Sequence, residues 1–188
     1  YRSMLELLPL PVFECDTHGL LTYVNLTGLK KFGYSPQDLE KGLTVAQLVD
    51  EQDRERAMGN LRQTLNGSDD GPFEYFALRK DGSKLPVLAY TDPISDTGQT
   101  VGLRGVGVDI SERKRVENIQ LAQLRLSEYA FTHSSRNLLQ EFLNEAEALT
   151  TSQMGFFHFL EEDQETLSLQ AWSTNTLKNM CTAEHGES

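Results

Sequence analysis

The amino-acid sequence predicts an α+β domain on an antiparallel sheet, continued by a helix-rich segment. Strand-like stretches come first as a pair and then, after three helical pieces, as a trio. Segregation of this kind favours an antiparallel sheet, because parallel sheets alternate strands with helices. The trio is joined by Lys80-Asp81-Gly82-Ser83 and Asp96-Thr97-Gly98, both residue patterns of hairpin turns. Three hairpin-linked strands do not close a core alone, so the early pair is expected to complete a five-stranded sheet.

The elements follow in order. Met4-Leu5-Glu6-Leu7-Leu8 reads as a short helical end stopped by Pro9 and Pro11. Val12 to Cys15 and Leu20 to Val24 read as strands, with the turn residues Asp16-Thr17-His18-Gly19 between them. Asn25 can cap a helix that runs to Phe32 and stops at Gly33. Ser35-Pro36-Gln37-Asp38 sets a capping hydroxyl, a helix-compatible proline and an acid in one turn, which Gly42 closes. Asp50 opens the longest helix of this half, with Ala57, Met58, Leu61 and Leu65 on one face. Asn66 to Gly71 is a loop. The trio then spans Phe73 to Arg79, Leu85 to Ile94 and Val101 to Ile110.

Ser111 is expected to cap a helix from Glu112 to about Phe131. Val116, Ile119, Gln123, Leu126 and Ala130 fall at 3-4 spacing along it, a coiled-coil seam with one polar member. From Ser134, Leu138, Leu139, Phe142, Leu143, Ala146 and Leu149 make an amphipathic helix, followed by strands Gly155 to Leu160 and Thr166 to Trp172.

Composition narrows the function. The 188 residues are 38% apolar and 24% charged, as in ordinary globular chains. No window approaches the ~18 consecutive apolar residues of a membrane span, so no direct membrane insertion is expected. No basic-then-apolar signal peptide is read at the start, and the opening at Tyr1 without methionine leads to the expectation of an excised piece. A net charge of −11 speaks against nucleic acid or an anionic membrane surface as partner. Up to Arg115 there are 14 basic and 17 acidic side chains, and beyond it 3 and 11, so the acidity sits mainly in the second half. Two cysteines, Cys15 and Cys181, indicate a reducing, cytoplasmic setting.

Several motifs occur in the order of a known family. Leu5 to Pro9 with Val12-Phe13-Glu14-Cys15-Asp16, Gly19 to Asn25, Gly33-Tyr34-Ser35, Arg79-Lys80-Asp81-Gly82 and Asp92-Pro93-Ile94 resemble a PAS sensor domain. Gly105-Val106-Gly107-Val108-Asp109-Ile110-Ser111-Glu112-Arg113-Lys114 resembles the PAS-associated C-terminal (PAC) motif that leads into a signalling helix. Residues from about 134, especially Ser152 to Phe159 and Leu167 to Thr174, resemble the start of a GAF domain. The resemblance implies a PAS/PAC domain over 1–115, a signalling helix over 116–133 and a truncated GAF domain over 134–188. It also implies a fragment of a bacterial sensor whose output, a histidine kinase or a diguanylate cyclase, lies outside these residues. A truncated GAF segment of this length cannot enclose a core, so the tail is expected to be mobile or paired with another chain.

Chemistry is sparse. Flavin photochemistry in related light-sensing domains needs a cysteine on the short helix facing the ring. Here that region reads Ala46-Gln47-Leu48-Val49-Asp50, and positions 16 to 180 hold no cysteine, which excludes covalent flavin light-sensing. Haem-binding relatives often use a histidine of the helical half. The only histidine before His133 is His18, in a turn where a solvated role is expected, so haem is not expected and no cofactor is identified. Cys15 reads as a small buried hydrophobe. Cys181-Thr182-Ala183-Glu184-His185 is too isolated for a zinc site. Phe131 to Leu138 superficially resembles a kinase phospho-acceptor box around His133. Ser134 and Leu138 stand where that box has an acid and a proline, and the GAF resemblance accounts for the same residues. No phosphate loop, nucleophile elbow or paired carboxylates occur, so no enzyme is expected.

Alternation assigns the sheet faces. Phe73, Tyr75, Ala77 and Arg79 share one face of their strand, with Val87, Ala89 and Thr91 on the next. The candidate ligand pocket is Phe73, Tyr75, Val87 and Ala89 from the sheet with Leu39, Leu48, Met58 and Leu61 from the helices. A filled core without ligand reads equally well from these residue types. The opposite face carries Phe76, Leu78, Leu88 and Tyr90, where typical PAS sequences have charges. A sheet apolar on both faces must be covered on both. The N-terminal helix, a second subunit as in a homodimer, or a local loop would each provide that cover. Asp109 resembles the family's junction acid, and Asp109-Ile110-Ser111 is the expected relay from strand to helix. The rival to a sensor is a ligand-free dimerisation or scaffold module.

Overall fold

The computed structural model describes residues 2–68 and 71–179, which fall into two units divided between Glu112 and Arg113. Cys181 to His185 lie outside the described residues. The first unit runs α1 (Arg2–Leu5), β1 (Val12–Asp16), β2 (Leu21–Val24), α2 (Leu26–Phe32), α3 (Pro36–Glu40), a 3-10 turn (Val45–Leu48), α4 (Glu51–Leu65), β3 (Phe73–Leu78), β4 (Lys84–Asp96) and β5 (Gln99–Asp109). The five strands form one antiparallel sheet in the order β2-β1-β5-β4-β3, so the early pair does complete the hairpin-linked trio.

Local chemistry accounts for most boundaries. Asn25 caps α2 by accepting from the Gly28 amide, and Gly33 ends it in the left-handed conformation. Ser35 and Asp38 form a reciprocal capping box on α3. Thr97 and Gly98 both take positive φ between the paired residues Asp96 and Gln99, the two-residue turn that fits strand twist. The helix α1 is shorter and earlier than the sequence predicts, because Glu6 to Leu8 continue as single turns before the prolines.

Asn25 organises the N-terminal segment. It is fully buried, accepts from the Val12 and Gly28 amides, and donates to the Leu5 and Leu10 carbonyls at 2.9–3.0 Å. All four of its ordinary hydrogen-bonding positions are thus used. Glu6 accepts from Tyr23 Oη and the Leu26 amide at 2.7 Å each, and Arg2 lies 5.0 Å over the Tyr23 ring. Burial and the Glu6 carboxylate together push the Tyr23 hydroxyl up to about 12.

Both outer strands of the sheet are engaged along their free edges. At β3 the Asp50 amide bonds Phe76 O, Asp53 Oδ2 accepts from the Phe76 amide, and Arg56 donates to Glu74 O. At β2 the Leu21 amide bonds Leu43 O, and Leu20 bridges Thr44.

The second unit contains the bulk of α5 (Ser111–Thr132), with α6 (Ser135–Thr150), β6 (Phe156–Leu160), β7 (Leu167–Trp172) and α7 (Thr174–Asn179). The helix α5 begins at Ser111 itself, whose amide is taken by Asp109, so Asp109 rather than Ser111 supplies the cap. Ala122 is the buried residue of α5, flanked by half-buried Ile119, Leu126 and Tyr129. Val116, Gln123 and Ala130 of the predicted seam are exposed, because the buried stripe shares only Ile119 and Leu126 with it. Arg125 makes a bidentate pair with Glu145 of α6 at 2.7 Å. Ser173 and Thr176 are buried and converge on Glu147, which ties α7 to α6. His133 sits in the break between α5 and α6, its ring stacked on Tyr129 at 3.6 Å.

Candidate functional site

In the first unit, the inner face of the sheet and helices α2 and α4 enclose a cavity of about 120 Å³. Its cause lies in strand register. Phe73, Ala89 and Gly107 are paired neighbours across β3, β4 and β5, so side-chain size falls from a ring to a methyl to nothing along one row. Beside it, Gly105 faces Thr91 and Phe13, and a methyl on Gly105 would lie 2.5 Å from the Phe13 ring. Gly105 is therefore filled by its neighbour, whereas a methyl on Gly107 would meet nothing closer than Pro11 at 3.8 Å. Gly107 is the open floor. From the helices come Phe32, Leu48, Ala57, Asn60 and Leu61.

Six of the eight pocket residues expected from the sequence line this cavity: Leu48, Leu61, Phe73, Tyr75, Val87 and Ala89. Leu39 and Met58 do not. They pack against Cys15, Leu21, Leu43, Leu61 and Leu103, a neighbouring part of the core. Cys15 belongs to that cluster, 2% exposed, and burial pushes its thiol up to about 11. His18 is exposed in its turn. The cavity lining contains neither histidine nor cysteine, and Tyr75 carries its one phenol.

The sequence reading missed Gly107, Thr91, Ala57 and Asn60 as lining residues. Gly105 and Gly107 on one face of β5 were the available signal for space. Asn60 Nδ2 donates to Tyr75 Oη at 2.7 Å, and one turn on, Thr64 Oγ1 lies 3.4 Å from Thr91 Oγ1. Burial pushes the Tyr75 hydroxyl up, so it remains a protonated group.

Asp109 lies two residues beyond Gly107 on the same face of β5, paired in register with Val87. Its Oδ2 accepts from Lys31 Nζ at 2.7 Å and its Oδ1 from the Ser111 amide at 2.9 Å. Burial raises this carboxyl, but Lys31 and Ser111 outweigh it and hold Asp109 at about 2. Lys31 precedes Phe32, a lining residue of α2, so both partners of the ion pair adjoin the cavity wall. Ile110 is buried, and its amide bonds Pro86 O.

On the outer face, Phe76 and Tyr90 are 49% and 48% exposed, while Leu78 and Leu88 are half-buried. The N-terminal segment reaches the β1–β2 side of this face, where Arg2 pairs with Glu14 at 3.5 Å. Among the described residues, no helix is long and apolar enough to cross a membrane and no three His, Cys, Asp or Glu side chains cluster as for a metal.

A family model of the PAS domain matches residues 9–112. No curated protein matches the chain. Among solved structures it is similar to the PAS domain of a Colwellia psychrerythraea protein, with 21% identity and a TM-score of 0.53 over 59% of this chain and 94% of that one. It is also similar to a sensory box histidine kinase/response regulator from Burkholderia thailandensis E264, with 21% identity and a TM-score of 0.51, covering 70% of this chain and 98% of that one. A domain of a sensory box sensor histidine kinase/response regulator from Geobacter sulfurreducens is 22% identical, with a TM-score of 0.50, covering 58% and 90%.

Proposed function

The chain belongs to the PAS domain family, and from that premise we propose that it is the sensory input module of a larger signalling protein. A small molecule held in the cavity, or a partner docked on the outer face, shifts the balance between two packings of the domain. The strand end Asp109-Ile110-Ser111 passes that bias into α5, and α5 acts as the signalling helix toward a kinase or diguanylate cyclase output elsewhere in the parent protein. The observation that carries this reading is the Lys31–Asp109 pair, 2.7 Å long, between the residue before Phe32 and the residue two beyond Gly107. Displacing either wall moves one partner of the pair. A ligand produces a signal only through unequal affinity for the two packings, and the ion pair gives them an energetic difference.

In this reading the module has no catalytic role, works in the cytoplasm and acts as a homodimer. The order helix, strand, strand from Ser135 to Trp172 supports reading 134–188 as the beginning of a GAF domain, and the run of β5 directly into α5 supports reading the stretch that ends at Lys114 as the PAC motif. Native mass spectra of residues 1–188 test the sensor reading, with an absorbance spectrum of the same sample. An adduct lost on denaturation supports it. A second reading, a ligand-free dimerisation or scaffold module, draws on the exposed Phe76 and Tyr90 rings, and a clean apo dimer supports that instead.

A further inference from the structure

The cavity wall is chemically uneven. None of its lining residues carries a charge, and most offer only hydrocarbon. Polar groups gather along α4, where Asn60 reaches Tyr75 and Thr64 reaches Thr91. The carboxamide of Asn60 and the hydroxyl of Tyr75 satisfy each other only once. With Asn60 Nδ2 donating to Tyr75 Oη, Asn60 Oδ1 and the Tyr75 hydroxyl proton have no protein partner among the described residues. With the amide turned over, the amide protons are left over instead, so capacity remains in either orientation.

Resting on the sensory reading above, we propose that the occupant is a small neutral molecule with a hydrocarbon body and one hydroxyl-type group, bound at Asn60 and Tyr75. Neutrality follows from the lining, since an ion there would be stripped of water with no counter-charge. A cation beside this pair, Arg56, lies 4.7 Å over the Tyr75 ring but is committed to Asp53 Oδ1 at 2.6 Å and Glu74 O at 2.7 Å. Size follows from the volume: about 120 Å³ is close to the roughly 150 Å³ of a dry apolar cavity known to take benzene. The polar pair fixes orientation, as a few convergent groups do in an otherwise apolar site.

Phenol, toluene and benzoate test this by titration calorimetry on the 188-residue chain at pH 7. Phenol and toluene share shape and differ in one hydroxyl, while benzoate adds charge. Phenol is expected to bind about tenfold tighter than toluene, the scale of one satisfied hydrogen bond, and benzoate not to bind. Asn60→Ala should bring phenol close to toluene and leave toluene unchanged. Gly107→Val, or Ala89→Leu if the first variant does not fold, should abolish both. Equal binding of phenol and toluene to the parent chain, or binding of benzoate, overturns the ligand class and leaves the sensory reading standing. Binding of no probe, together with a raised melting temperature for the filling variants, overturns both, because the cavity is then a packing defect.

Discussion

Replacing Asp109 with asparagine isolates the charge of the junction from its shape. The carboxamide keeps an oxygen for the Ser111 amide and loses the ion pair with Lys31. The two side chains are 30% and 32% exposed, between a surface pair worth under about 1 kcal/mol and a buried pair whose disruption costs about 3–5 kcal/mol. A loss of about 1–1.5 kcal/mol is therefore expected, a fall of roughly 5–10 °C in melting temperature for a domain of this size. The pH dependence has a definite sign. Asp109 is held at about 2, below its ordinary 3.8, so its stabilisation is complete above pH 3.8 and is lost as pH falls through about 2. Urea melts followed by far-ultraviolet circular dichroism at pH 7, 5, 4 and 3 measure the gap between parent and Asp109→Asn. The gap should hold from pH 7 to 4 and narrow at pH 3. Lys31→Met should remove the same increment, and the double variant should cost little more than either single one. A gap absent at pH 7, or additive single costs, would refute the assignment of the pair as the energetic link between α2 and the strand end.

Three further outcomes follow from the packing. Asn25→Ala strands two buried amides and two carbonyls and should cost about 3–5 kcal/mol, read as a lower urea midpoint with faster proteolysis before Pro11. Gly105→Ala forces a methyl into the Phe13 ring at 2.5 Å and toward Tyr90 O at 2.9 Å; a loss of about 1–3 kcal/mol is expected, whereas Gly107→Ala should be tolerated, and equal melting temperatures for the two would contradict the difference in space. Leu88→Glu on the outer face should halve the mass seen by light scattering without unfolding the monomer, and an unchanged mass would show that this face is not a dimer contact.

Legibility in the sequence tracked the range of the interaction. Caps and turns were readable because the Asn25 cap on Gly28, the Ser35–Asp38 box and the Thr97-Gly98 turn each close within four residues. Sheet faces were readable because alternation has a period of two, which put Phe73, Tyr75, Val87 and Ala89 together. The cavity was only partly readable. Apolar character marks Leu39 and Met58 as buried but does not say which part of a core receives them, and they joined the Cys15 side. Space is created by what is missing at Gly107, which becomes visible only once Ala89 is known to lie opposite. Asn60 reads as a solvated helix residue until Tyr75 is brought to it by β3. Lys31 and Asp109 stand 78 positions apart, and no local pattern joins them. On α5 the heptad spacing admitted several stripes, and the one holding Ala122 was buried.

The engaged edges of the five-stranded sheet restrict how this domain can grow. With Asp50, Asp53 and Arg56 on the β3 backbone and the Leu43–Thr44 segment on β2, the row of backbone groups that an incoming strand would use is interrupted at both edges. Strand addition at either end of the sheet would first have to displace these contacts. Contacts between copies are thereby favoured at the faces, where geometry is set by side chains that mutation can retune without touching the backbone ladder.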